Sequence, residues 1–202
     1  MSQEDKIVEN LTERGAPDAP MPLFASKRER RLWLWTLAVM VAIYLTLGLA
    51  RTLSDELRNR DLFAALWVLG LVLIGVTVLT LAVKAPPGAA EVGVWLGVAA
   101  AYLLVLTRMA SEVERSHLIE YGLVAVLVYE ALKERASNGR KVPVPALVAI
   151  VITALAGTFD ESIQVFIPSR VFDPVDIGFN ALAAVMAIGA SLALTWAQRW
   201  SE

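Results

Sequence analysis

The sequence contains no cysteine and a single histidine, His117. The first absence excludes disulfides, thiolate chemistry and cysteine metal sites. The second excludes a multi-histidine metal centre. An excess of charge is also missing: 18 Lys and Arg stand against 20 Asp and Glu, a net charge of -2. No global basic field attracts nucleic acid, which is therefore not an expected partner. The N-terminal stretch MSQEDKIVENLTERGAPDAP lacks the basic-then-apolar order of a cleavable signal peptide. The first apolar run is expected to act as the signal anchor instead.

What the chain has in abundance is apolar surface. Of its 202 residues, 57% are hydrophobic, more than a water-soluble domain carries. The expected fold is all-α: a polytopic transmembrane helical bundle of about six spans. Residues 1–31 read as a polar cytoplasmic tail, flexible and broken by Pro17, Pro20 and Pro22. Residues 32–200 read as the bundle. Measured against the roughly 20 residues a hydrocarbon core requires, the spans are expected at 32–50, 62–83, 91–106, 117–132, 143–166 and 173–196. The third follows the turn signal Pro86-Pro87-Gly88. The sixth opens on Asp173-Pro174, an N-cap residue followed by proline at the first helical position.

Orientation follows from the Lys and Arg bias of the short loops. Lys27, Arg28, Arg30, Arg31, Lys84, Lys133, Arg135, Arg140, Lys141 and Arg199 fall on the side of the tail; Arg51, Arg58, Arg60, Arg108, Arg115 and Arg170 fall opposite. Ten against six places both termini in the cytoplasm and the protein in the inner (cytoplasmic) membrane. The start of the fourth span, the end of the fifth and the start of the sixth then share the extracytoplasmic face.

Those three ends hold an unusual density of polar residues, and intramembrane ionisable groups mark candidate sites. His117, Glu120 and Tyr121 share one helix face at i, i+3 and i+4. Asp160 and Glu161 precede Gln164 near a helix C-terminus, where two carboxylates oppose the macrodipole and need an offset. Arg170 is the nearest candidate in sequence, and Arg115 is a second candidate to reach them. Asp173, Asp176 and Asn180 form one descending stripe. Asp173 has a structural reading as an N-cap, and Asn180 one as an interhelical hydrogen bond. Gly157, Gly178, Ala181, Ala184 and Gly189 are expected to let the helices approach closely. Three chemistries fit the set. One is a divalent cation held through oxygen ligands. The second is a histidine general base beside a carboxylate. The third is a grip of arginine, carboxylates and amides on a polar, phosphorylated or peptide-like headgroup.

With these residues in view, the chain resembles the VanZ-like family of small integral membrane proteins. The resemblance lies in HLIEYGLVAVLVYEAL (117–132) and GTFDESIQVFIPSRVFDPVDIGFNALAA (157–184), within a region of about 110–190. The family pattern is met by His117 and Tyr121, then Asp160, Glu161 and Gln164, then Pro168 and Arg170, then Asp173, Asp176 and Asn180. Many members carry an aspartate-lysine pair four residues before the histidine; here Val113 and Glu114 stand there. The family's namesake is tied to glycopeptide (teicoplanin) resistance. The resemblance implies an integral membrane protein and carries over the site residues, not the drug. The first reading of the site is an envelope protein that binds a lipid headgroup, a lipid-linked envelope precursor or a glycopeptide-type antibiotic at the outer leaflet and so alters susceptibility. Two other readings stay open. One is a structural or assembly subunit of a larger membrane complex. The other is a membrane-surface enzyme using the carboxylate and histidine groups, although no recognised catalytic signature is present.

Overall fold

The computed structural model describes residues 22–46, 72, 87–109, 112–167 and 172–201. Within them the chain is all-helical: five α-helices and no strand. They are α1 (Lys27–Thr46), α2 (Ala89–Arg108), α3 (Glu112–Ser137), α4 (Pro145–Gln164) and α5 (Pro174–Ser201). Three of them, α2, α4 and α5, are long and apolar enough to cross a membrane. The expected count of about six spans is not reached among the described residues. The expected span 62–83 lies outside them except for Val72. In α1 and α3 the apolar stretch is flanked by charged turns of the same helix.

Helix α1 begins five residues before the expected first span because Ser26 caps it. The Ser26 hydroxyl accepts the Glu29 N–H at 3.0 Å, and the Glu29 carboxylate accepts the Ala25 N–H. This is a close variant of the Ser-x-x-Glu capping box. Helix α2 starts after Gly88, whose N–H donates to Glu91 at 3.3 Å. Helix α3 ends in a Schellman motif. Arg140 N–H donates to the Arg135 carbonyl and Gly139 N–H to that of Ala136, with Gly139 at φ 79°. Helix α4 starts with Pro145 at its first position. The Asp173-Pro174 start of α5 is as expected: Asp173 Oδ1 accepts the Val175 N–H at 2.8 Å.

Helix α3 is central, packing against α1, α4 and α5, while α2 packs against α5 and, through Tyr102, also reaches α3 near Gly122. The core between them is apolar and tight, with Val124, Ala125, Val128, Ala184 and Ile188 all buried. Helix α4 shows how the molecule is arranged. Its buried face is Ala149, Thr153, Gly157, Asp160, Glu161 and Gln164. Its opposite face, Leu147, Val151, Leu155 and Phe159, is exposed. A helix that turns carboxylates inward and a continuous apolar stripe outward is built for hydrocarbon, since such a stripe in water drives association.

The N-terminal start of α1 is stapled to the C-terminal end of α3. Arg28 contacts Glu134 at 2.9 Å and Glu130 at 3.2 Å; Arg135 contacts Glu29 at 2.8 Å; Lys133 contacts Glu130 at 2.7 Å. Ser26 Oγ donates to Glu134 and Arg140 to the Pro22 carbonyl. These groups lie outside the apolar segments. Burial pushes the Glu29 carboxyl up, but hydrogen bonds from the Ala25 N–H and Arg135 outweigh it and hold the group below its ordinary value. The Ser26 hydroxyl, with help from Asn138 and Arg28, holds Glu134 low as well.

Candidate functional site at the ends of three helices

The second turn of α3, the last turn of α4 and the first turns of α5 meet at the opposite end of the bundle. His117 and Tyr121, one turn apart on α3, are both buried, and their rings stack at 5.9 Å with 15° between planes. His117 lies in the second turn of α3, not at a helix start as expected, because the helix begins at Glu112. Its Nε2 is 4.0 Å from Glu161 Oε1 and 3.9 Å from Asp176 Oδ2. One donor atom each from His117, Asp160 and Glu161 lie within 4.8 Å of one another, and all three residues are buried.

Glu161 is held on two sides. Gln164 Nε2 donates to its Oε1 at 2.6 Å, and the Asp173 N–H donates to its Oε2 at 3.3 Å. The start of α5 is therefore tied to the end of α4 through one carboxylate. Asp176 is nearly buried, whereas Asp173 is exposed and serves as the cap. Glu120 is half-buried and acts electrostatically on Tyr121.

Asn180 lies one turn beyond Asp176 and is fully buried. Among the described residues, neither atom of its side-chain amide has a hydrogen-bond partner. It sits against Gly157, where a Cβ would come within 2.5 Å of Asn180 Cβ and 2.7 Å of Nδ2. Glycine at 157 is thus what allows α4 and α5 to meet around the amide. The expectation for the other small residues divides. Ala184 is buried in the core, but Gly178 and Gly189 face open space and bring no backbones together.

The expected counter-cations have different fates. Arg170 lies outside the described residues. Arg115 does not reach the carboxylates; its Nη2 donates to the Met109 carbonyl at 3.1 Å. The site as described is acidic, with one imidazole.

One contributor lay outside the sequence reading. Tyr44 of α1 approaches Asp160 closely enough for the carboxylate to act on it, donates to the Ala156 carbonyl at 3.4 Å, and packs edge-on against Phe159 at 5.9 Å. Asp160 also acts on the Tyr121 hydroxyl. The available signal was a hydroxyl in mid-span, because a tyrosine within an apolar segment needs a polar partner.

No protein-family model, curated protein or solved structure matches this chain. Function must therefore be argued from the site itself.

Proposed function

We propose that this chain is a VanZ-like integral membrane protein of the cell envelope. In this reading its inward-facing polar cluster binds a ligand presented at the outer leaflet of the cytoplasmic membrane and so affects resistance to envelope-directed antibiotics. About six spans are proposed, with α1, α3 and the apolar sequence 62–83 added to the three strongest helices. The termini are proposed to be cytoplasmic.

The single observation that carries the reading is the convergence of His117, Asp160, Glu161 and Asp176 from three helices at one end of the bundle. Around this end Val165, Phe166, Phe172 and Val175 are exposed, a rim suited to the boundary between headgroups and acyl chains. An acidic mouth favours a ligand that offers amines, amides or hydroxyls. A lipid-linked peptide precursor or a glycopeptide offers these.

Susceptibility to antibiotics that bind lipid-linked precursors tests the reading. A deletion strain is complemented with the wild type, Glu161→Gln or Asp176→Asn at matched membrane levels. The expected result is that only the wild type restores resistance. Full complementation by both variants, or no effect of the deletion, overturns it. The absence of cysteine makes the orientation testable by single-cysteine labelling. Phe166→Cys is expected to react with an impermeant maleimide in intact cells, and Lys141→Cys only after lysis. The reverse pattern inverts the topology.

A second reading, an assembly subunit, is favoured by a different feature. No residue of α2 is buried. An apolar groove of about 330 Å³, lined by Gly97, Ala101, Tyr102, Met186, Gly189 and Ala193, runs between α2 and α5. Small-residue faces of this kind receive other helices in membranes. Co-purification of a stoichiometric membrane partner, lost on Gly97→Leu, would favour this reading.

A further inference from the structure

We propose that His117, Asp160 and Glu161 form a binding site for a divalent cation of the zinc class, with Asp176 as the fourth donor. The ion would occupy the same residues that carry the headgroup reading and rests on their convergence, but metal binding by the purified chain and the resistance phenotype can fail separately.

The donor set comes first. An imidazole nitrogen and two carboxylate oxygens lie within 4.8 Å of one another on buried side chains. Asp176 Oδ2, at 3.9 Å from His117 Nε2, completes a four-donor shell drawn from α3, α4 and α5. Bonds of about 2.0–2.2 Å to zinc place neighbouring donors about 3.3 Å apart. The observed 3.9 and 4.0 Å separations therefore need a contraction of about 0.6–0.7 Å, and the 4.8 Å limit on the three-residue set one of at most about 1.5 Å. The imidazole argues against calcium and magnesium, which prefer all-oxygen shells.

Orientation comes next. Glu161 is fixed by Gln164 and by the Asp173 N–H. Such outer partners aim a metal-ligating carboxylate and are a regular part of metal sites.

A separate observation points to a ligand. Asn180 is fully buried one turn beneath Asp176, and its amide has no partner among the described residues. Buried amides are almost always satisfied. Gly157, one turn before Glu161, is the residue whose lack of a side chain leaves room for that amide. An ion among the three donors, carrying a bound water, gives the amide a partner.

The test uses the full chain in detergent micelles, stripped with a chelator and titrated calorimetrically with Zn²⁺, Mn²⁺, Ca²⁺ and Mg²⁺. The expected result is one Zn²⁺ per chain, bound roughly 10-fold or more tighter than Ca²⁺ or Mg²⁺. Asp160→Asn and His117→Gln are each expected to weaken Zn²⁺ by about 10–100-fold or more. Glu134→Gln, at the other end of α3, leaves it unchanged. Melting of each metal-free variant establishes that it is folded. Failure of the folded wild type to bind Zn²⁺ stoichiometrically overturns the proposal whatever the variants do. So does Zn²⁺ binding that survives both site substitutions, or that falls equally with Glu134→Gln. Calcium bound as tightly as zinc overturns the assignment to the zinc class.

Discussion

The two ends of α3 handle charge in opposite ways. They are separated by the 17 residues from His117 to Glu134, about 25 Å at 1.5 Å per residue. At the Glu134 end, acid and base alternate in space. Arg28 bridges Glu130 and Glu134, and Arg135 meets Glu29. At the His117 end, carboxylates gather from two helices around one imidazole. The first arrangement is self-sufficient and ties α1 to α3. The second gathers buried acids and an imidazole where three helices meet. The same residue type, glutamate, is thus a staple in one place and a candidate ligand in the other, and the difference is the company it keeps: arginines at one end, an imidazole and further carboxylates at the other.

That contrast can be sharpened by substitution. The largest effect on folding is expected at the acidic end from geometry alone. In Gly157→Ala the new Cβ meets Asn180 Cβ at 2.5 Å, so the helices must part, at a cost of about 1–3 kcal/mol. Thermal melting measures it. Because the three nearest atoms all belong to Asn180, adding Asn180→Gly is expected to restore most of the loss. Failure to do so would place the clash elsewhere.

Next comes Arg135→Ala at the staple. It leaves the fully buried Glu29 without its cation, and a loss of about 2 kcal/mol is expected. A smaller pH effect follows from the same groups. Glu29 and Glu134 are both held below the ordinary value of 4.5. Their ionised forms therefore favour the folded state. That stability is full above about 4.5 and fades as pH falls through the lowered native values. Melting curves across this range should slope for the wild type and flatten for the Glu29→Gln, Glu134→Gln double variant. The smallest effect is expected from Arg28→Ala. Its side chain is 57% exposed, so less than about 1 kcal/mol is at stake, and salt should screen it.

The sequence made the acidic end legible because its residues break apolar runs. Asp160, Glu161, Asp176 and Asn180 stand out for that reason, and the Asp173-Pro174 cap marks where α5 begins. The staple was less legible. Ser26 and Glu29 carry a capping signature, yet an apolar run marks where hydrocarbon begins, not where the helix does, and α1 and α3 both start before their apolar stretches. Tyr44 was hidden for another reason. Its approach to Asp160 joins residues far apart in the chain, and only packing brings them together. Arg115 was a candidate partner of the carboxylates because it falls on the same expected face, but it satisfies the Met109 carbonyl where the chain leaves α2.

The measurement that tests this division most directly is the melting temperature of metal-free Glu161→Gln beside that of Arg135→Ala, with the antibiotic phenotype of each at matched membrane levels. The expected result is that Glu161→Gln, whose amide oxygen can still accept from Gln164 or the Asp173 N–H, loses less than about 1 kcal/mol of stability, yet loses the phenotype. Arg135→Ala is expected to melt lower and keep the phenotype to the extent that it folds. A Glu161→Gln protein that melts as low as Arg135→Ala would contradict the division and make the acidic end a structural bridge like the staple.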